Sequence, residues 1–201
     1  MRIGRWVTEN VPFMQGQRRA SSPRLSESRL IVLDVDVTGV NLRRDHATGI
    51  AILEVKEGTF SLSDLRYCPL NNELDSDLGT RYRAMLDFIG SAPIFAYNAR
   101  FVKHMIKHAA SLYKLPVPLG LWIDIRGAVH SSVGREPSEI ESVARWQERM
   151  NIARPADHSA VADVFATAQM LQTLIAYCDE MGIATVDDLQ RAQKAYAWLK
   201  G

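Results

Sequence analysis

The sequence predicts a single α/β domain in which helices flank a mixed β-sheet. Two observations support this. Strand-like segments follow one another directly between residues 30 and 65, and helical and strand-like apolar patterns alternate from residue 78 onwards. This order is typical of a mixed sheet covered by helices. With 201 residues, 47% of them hydrophobic, the chain is long enough to bury one sizeable core.

The first three predicted strands form an antiparallel meander. The run at 30–37 (LIVLDVDV) has apolar residues on both faces, which predicts a central strand covered on both sides. A second strand is predicted at 48–55. The Glu57-Gly58 pair predicts a tight turn into a third strand near 59–65.

The remaining predicted elements alternate between helix and strand. Helices are predicted at residues 78–89, 99–115, 138–150, 159–177 and 186–199, and short buried strands at 93–97 and 121–125. Ser138, followed three residues later by Glu141, has the pattern of a capping box at the start of the third of these helices.

The charge distribution divides the chain into an irregular basic arm, residues 1–28, and a domain, residues 29–201. The whole chain has a net charge of +1, yet residues 1–29 contain six arginines and two glutamates. Such an arm can contact phosphates, although arginines in a terminal segment are commonly only solvated. Both interpretations stay open from charge alone.

The cysteines and the hydropathy pattern predict a soluble, cytoplasmic protein without membrane association. Cys68 and Cys178 are far apart and form no CxxC pair, as expected of two thiols in a reducing compartment. No apolar run approaches the roughly 20 residues that span a bilayer. The N-terminus also lacks the apolar segment of a signal peptide.

Two carboxylates at the end of the first strand form a candidate metal site. Side chains alternate along a strand, so Asp34 and Asp36 point to the same face. Like charges beside a buried strand repel each other and lose hydration, and a divalent cation with oxygen ligands usually compensates for both effects. The alternative is that both acids lie beyond the buried part of the strand and face water.

A third carboxylate stands alone in the most apolar predicted helix. Asp163 is the only charged residue between Ser159 and Tyr177, and His158 precedes it in the loop that enters the helix. A histidine beside a metal-bound carboxylate is well suited to deprotonating water. The alternative is that Asp163 pairs with an arginine and His158 lies idle at the surface.

Three segments together resemble the DnaQ-like (DEDDh) 3′–5′ exonucleases. Residues 34–39 (DVDVTG) are similar to the family motif D-x-E-T-T-G, residues 97–102 (YNARFV) to H-N-A-x-F-D, and residues 158–163 (HSAVAD) to H-x-A-x-x-D. The resemblance extends over residues 30–178. It implies a ribonuclease-H-like fold and hydrolysis of phosphodiester bonds from the single-stranded 3′ end of DNA or RNA.

The resemblance also implies roles for individual residues. It assigns the binding of two Mg²⁺ or Mn²⁺ ions to Asp34, Asp36 and Asp163, and general-base catalysis to His158. Four further residues are expected beside the substrate: Thr38, Gly39, Asn98 and Phe101. A polymerase or other protein partner stays open.

Two positions depart from the family pattern. Asp36 stands where the family usually has Glu, and Val102 replaces the aspartate of the second motif. Valine cannot ligate a metal, so the second ion is expected to bind weakly, and Asp124 is the nearest acid that could substitute. Val102 also continues an apolar helical stripe. The alternative function is therefore a catalytically impaired pseudo-exonuclease that binds nucleic acid or protein.

A second enzyme class matches the first motif alone. Haloacid-dehalogenase-like phosphatases begin with D-x-D-x-T after an apolar strand, which Asp34, Asp36 and Thr38 reproduce. There Asp34 would be a nucleophile that forms an aspartyl-phosphate. A parallel sheet would, however, require a helix soon after the first strand, where this sequence predicts two further strands.

Overall fold

The computed structural model describes residues 23–70, 77–133, 148, 152 and 159–199. The strands are β1 (Arg29–Val37), β2 (Ala47–Lys56), β3 (Leu65–Pro69), β4 (Ile94–Ala96) and β5 (Trp122–Asp124). The helices are α1 (Leu78–Ile89), α2 (Ala99–Leu112), α3 (Ile125–Val133), α4 (Ala160–Glu180) and α5 (Val186–Leu199).

The five strands form one mixed sheet in the order β3-β2-β1-β4-β5. β2 pairs antiparallel with both β1 and β3, whereas β4 pairs parallel with both β1 and β5. The predicted α/β class, the antiparallel meander and the central position of the first strand are therefore confirmed.

Two hydrophobic clusters cover the two faces of the sheet. Leu30 and Val32 of β1 contribute to the cluster formed with α3, α4 and α5, whereas Ile31, Leu33 and Val35 contribute to the cluster formed with α1 and α2. Because side chains alternate along a strand, the side chains at positions 34 and 36 continue the face covered by α4.

Two predicted elements differ from the structure between residues 57 and 70. The tight turn forms as expected, with the Thr59 N–H donating to the Lys56 carbonyl at 2.9 Å. A 3₁₀ turn (Leu62–Asp64) then follows, so the third strand begins at residue 65 and not near 59. The strand forms only where Cys68 and Leu70 can be buried. The helix α3 was not predicted, and the predicted helix at 138–150 falls largely outside the described residues.

The long helix α4 has the length and composition of a membrane-spanning segment, contrary to the expectation that no apolar run reaches that length. Half of its most apolar stretch is buried inside the protein. Its residues Val164, Leu171 and Cys178 lie in the hydrophobic cluster that includes Leu30 of β1. Packing on the sheet therefore explains its apolar character. Cys68 lies in the other cluster, so the two cysteines do not form a disulfide with each other.

The predicted boundary at residue 29 stays a prediction, but Arg24 and Leu25 of the predicted arm contact later parts of the chain. Leu25 is buried, and its N–H donates to the carbonyl of Ala184 at 2.7 Å. Arg24 forms an ion pair with Asp179. Arg24, in the predicted arm, and Arg29, the first residue of β1, thus form ion pairs with acids of the domain. Residues 1–22 lie outside the described residues.

Candidate functional site

The end of β1 places two carboxylates next to α4. Asp34 lies opposite Ala51 and Asp36 opposite Gly49 in the antiparallel pairing with β2. The register shifts immediately after Asp36, which is the position of a β-bulge. Val37 pairs with Ala47, so the extra residue is Thr48 on β2, and the regular ladder is interrupted beside the carboxylates.

Asp34 is the most perturbed acid of the site. Burial raises the pKa of its carboxyl from 3.8 to about 7, against the effect of a hydrogen bond from the Val35 N–H. Repulsion from Asp163 and Asp36 raises this pKa further, so both acids lie within electrostatic range of Asp34. Such an arrangement favours binding of a proton or a cation.

Asp36 connects β1 to the first turn of α4. Its Oδ1 accepts a hydrogen bond of 2.6 Å from the N–H of Ala160, and its Oδ2 accepts one of 2.8 Å from the Tyr67 hydroxyl. The N–H groups of the first helical turn have no partner within the helix and carry its positive dipole end, which suits a carboxylate. Ser159 adds a side-chain cap by accepting from the Ala162 N–H at 3.3 Å.

The donor atoms at this site suit a hard divalent cation. Carboxylate oxygens are the ligands that Mg²⁺ and Mn²⁺ prefer, and a bound cation would relieve the repulsion among Asp34, Asp36 and Asp163. Each carboxylate has about four lone-pair positions, so Asp36 keeps acceptor capacity beyond its two hydrogen bonds. Within the described part of the chain, however, no three acidic, histidine or cysteine side chains converge into a ready-made metal centre. The predicted base, His158, lies outside that part.

The second motif surrounds the beginning of α2. Asn98 adopts the left-handed conformation, with φ of 57°. The N–H groups of Asn98 and Ala99 donate to the Asp124 carboxylate at 3.3 and 3.2 Å, and the Arg126 N–H donates to it at 3.0 Å. Both oxygens of Asp124 therefore bind backbone groups, which explains this aspartate without a metal.

Val102 is buried in an apolar environment. Its side chain is 1% exposed and belongs to the same cluster as Met105, Ile106 and Leu33. This is the face of β1 opposite Asp34. The alternative that Val102 continues an apolar stripe thus describes its position in the structure, and Phe101 packs partly against the same cluster.

The loop after β1 contains two residues expected beside the substrate. The Thr38 hydroxyl accepts from the His46 N–H at 3.1 Å and donates to Asp45 at 3.3 Å. A Cβ atom on Gly39 would lie 2.5 Å from an oxygen of Asp45, so a larger residue there would displace the Asp45 carboxylate. The loop is thereby held in a fixed shape next to Asp36, while substrate contacts of Thr38 and Gly39 stay predictions.

Sequence reasoning missed Tyr67, whose hydroxyl contacts Asp36. Burial and this hydrogen bond raise the pKa of Tyr67 to about 12, so the phenol stays protonated and donates. The available signal was Gly49, because a glycine inside a strand often marks the close approach of another group. A Cβ atom at that position would lie 2.2 Å from the Tyr67 hydroxyl oxygen.

The topology also separates the two enzyme classes suggested by the first motif. Two antiparallel strands follow β1 directly, with no helix between β1 and β2 or between β2 and β3 except a short 3₁₀ turn. A haloacid-dehalogenase-like phosphatase would require a parallel strand reached through a helix at this point. The observed sheet is not of that kind.

The sequence matches no protein-family model and no curated protein, but several solved structures share the fold. Exonuclease X in complex with 5′-overhanging duplex DNA has a TM-score of 0.53 and 19% identity, over 82% of this chain and 99% of that chain. The zinc-bound complex of Escherichia coli exonuclease I with single-stranded DNA has a TM-score of 0.59 and 14% identity, over 77% and 42%. The nuclease domain of 3′hExo, a DEDDh family member bound to rAMP, has 0.59 and 10%, over 75% and 92%.

These likenesses confirm the predicted ribonuclease-H-like fold and, at the level of the fold, the resemblance to DEDDh exonucleases. The chain spans less than half of exonuclease I and nearly all of exonuclease X. Identities of 10–19% carry the architecture only, so the activity has to be argued from the residues of this chain.

Proposed function

We propose that this protein is a metal-dependent 3′–5′ exonuclease that removes nucleotides from single-stranded 3′ ends of DNA or RNA. The observation that carries the proposal is the electrostatic coupling of the buried Asp34 to Asp163 and Asp36, at the end of β1, where Asp36 also accepts a hydrogen bond from the first turn of α4. Mutual repulsion at such a position is costly in a merely structural site and useful in one that binds a cation. The shared fold with known exonucleases supports the same activity.

Asp34, Asp36 and Asp163 would hold Mg²⁺ or Mn²⁺. The bound metal would supply an activated water and stabilise the charge that develops on the leaving 3′ oxygen. Since Val102 is buried among apolar side chains and Asp124 is engaged by backbone N–H groups, the second motif provides no additional carboxylate. A second ion would accordingly bind weakly.

The residues of the chain would perform the remaining tasks. Asp34 must lose its proton before it can bind a cation, so activity should increase as the pH rises through about 7. His158, two residues before the start of α4, would take the proton of the attacking water. Thr38, Gly39, Asn98 and Phe101 would lie along the terminal nucleotide.

The apolar second motif favours one alternative, a catalytically impaired relative that binds nucleic acid or protein. Val102 and the engaged Asp124 are its specific support. In that case the metal would bind too weakly for turnover, while the surface beside Asp36 would still bind a 3′ end.

The test is incubation of the purified full chain with 5′-labelled single-stranded DNA and RNA in Mg²⁺, Mn²⁺ or EDTA. Asp34→Asn is the key variant because it keeps the shape of the side chain and removes its charge. Asp87→Asn, at an exposed position of α1, is the matched control. We expect a ladder that shortens from the 3′ end with wild type and Asp87→Asn, and no ladder with Asp34→Asn or EDTA.

A folded wild-type protein that degrades neither nucleic acid in either metal would refute the proposed activity. Retention of the labelled oligonucleotide in a binding assay would then support the alternative of a binding module. Equal activity of Asp34→Asn and wild type would refute the assignment of the activity to a metal site at Asp34.

A further inference from the structure

Tyr67 lies two strands away from the acid that it contacts. β3 is the edge strand, and its Tyr67 pairs with Ala51 of β2, which in turn pairs with Asp34 of β1. Tyr67, Ala51 and Asp34 therefore share one face of the sheet, the face that α4 covers. Asp36 is the next residue on that face of β1.

The tyrosine reaches Asp36 only because β2 leaves its path open. Neighbouring strands are about 4.8 Å apart, so the hydroxyl must pass over β2 to reach a residue of β1. Gly49 lies directly opposite Asp36 on β2. A Cβ atom on Gly49 would lie 2.2 Å from the Tyr67 hydroxyl oxygen and 2.9 Å from Asp36 Oδ2, so any other residue would displace the phenol.

The contact completes the fixation of a short carboxylate. Asp36 has one of the shorter acidic side chains, so its oxygens stay close to the β1 backbone unless other groups position them. The Ala160 N–H fixes one oxygen at 2.6 Å and the Tyr67 hydroxyl fixes the other at 2.8 Å. A carboxylate held by two donors keeps one orientation, and groups that orient a metal ligand in this way commonly strengthen metal binding.

Packing alone does not explain Tyr67. Its residue surface is 46% exposed, and it belongs to neither hydrophobic cluster. Among the described residues, the hydrogen bond of its side chain goes to Asp36. The hydroxyl therefore interacts with the Asp36 carboxylate and contributes little to the hydrophobic core.

We propose that Tyr67 is a positioning residue whose hydroxyl, passing over Gly49, orients the Asp36 carboxylate for binding a divalent cation. This inference rests on the proposed function, because it assumes that Asp36 is a metal ligand. It assigns to the edge strand β3 a part in the site that none of the three sequence motifs contains.

The test is Mn²⁺ binding to the full chain, measured by isothermal titration calorimetry without nucleic acid. Tyr67→Phe removes only the hydroxyl, and Tyr177→Phe is the matched control because Tyr177 is also 46% exposed. Loss of a group that orients a metal ligand typically weakens binding by about 10-fold or more. We expect a loss of this size for Tyr67→Phe, none for Tyr177→Phe, and unchanged melting temperatures in EDTA for both.

Gly49→Ala is a second, independent variant because it displaces the phenol and leaves Tyr67 in place. It should weaken Mn²⁺ binding at least as much as Tyr67→Phe. Unchanged Mn²⁺ affinity of Tyr67→Phe would overturn the inference, and so would a wild-type protein that binds no Mn²⁺.

The exonuclease assay separates the two proposals. Tyr67→Phe should require a higher Mg²⁺ concentration for half-maximal activity and recover the wild-type rate at saturating Mg²⁺, which a general loss of structure would not allow. A wild-type protein that binds Mn²⁺ without degrading nucleic acid would refute the proposed function alone, since the calorimetric comparison still decides the role of Tyr67.

Discussion

Two helices of this domain begin against an aspartate from the sheet, yet the two aspartates have different surroundings. At the start of α2, the Asp124 carboxylate accepts from three backbone N–H groups. At the start of α4, Asp36 accepts from one backbone N–H and from the Tyr67 hydroxyl. The first carboxylate accepts three hydrogen bonds from backbone groups, whereas the second accepts only one from the backbone and keeps more acceptor capacity beside Asp34.

Asp36 and Asp124 are the same residue type, so their different surroundings decide whether the carboxylate joins elements or contributes to a candidate metal site. Near α2, the side chain that would complete a metal site is the buried Val102. Near α4, repulsion between neighbouring acids contributes to the raised pKa of Asp34. The α4 end therefore carries the electrostatic cost that is typical of functional sites, and the α2 end resembles an ordinary structural joint.

The largest expected effect concerns the electrostatic cost at the α4 end. The Asp34 pKa is about 7 in the folded protein and near 3.8 when unfolded, so the folded state holds an extra proton between these values. Wild-type stability should therefore fall as the pH rises from about 4 to about 7. Asp34→Asn removes this penalty and should be more stable than wild type at pH 8 by at most about 4 kcal/mol.

The measurement is urea denaturation of wild type and Asp34→Asn in EDTA at pH 5, 6, 7 and 8. The difference in the free energy of unfolding should grow through this series. A pH-independent difference for Asp34→Asn would mean that its carboxyl titrates normally.

The next prediction tests whether the α2 end can hold a metal ion. Val102→Asp puts a carboxylate into an apolar cluster and should lower the free energy of unfolding by about 3 kcal/mol or more. Val102→Asn is the matched control of the same shape without charge. We expect Mn²⁺ to restore neither variant in thermal melts. Recovery of Val102→Asp alone, with a gain in nuclease activity, would reveal a second metal site that needs only its missing ligand.

The smallest effect compares the two aspartates directly. Asp124→Ala leaves three backbone N–H groups without their acceptor and should cost about 2 kcal/mol of stability. Asp36→Ala removes one backbone bond and the bond from the exposed Tyr67 hydroxyl, but it also relieves repulsion on Asp34, so it should cost less, about 1 kcal/mol. Urea denaturation in EDTA would measure the loss of stability of both variants. A larger loss for Asp36→Ala would make Asp36 the structural joint and contradict the assignment.

The features that depend on local periodicity could be predicted from the sequence. Alternation predicted that Asp34 and Asp36 share a face of a central strand, and helical spacing predicted α1 at residues 78–89 with the bounds that the structure has. The start of α4 was predicted within one residue from the apolar run that begins there. These features follow from residues that are neighbours in the chain.

The contacts between side chains on different strands and helices became visible in the tertiary structure and could not be predicted from the sequence. The contact between Tyr67 and Asp36 joins residues that are 31 positions apart in the sequence. The hydrogen bond from Ala160 to Asp36 joins residues that are 124 positions apart. The engagement of Asp124 by α2 and the cluster that buries Val102 depend in the same way on how strands and helices pack. Local pattern fixes which way a side chain points along its own element, whereas its partners are set by strand register and helix packing, which join distant segments.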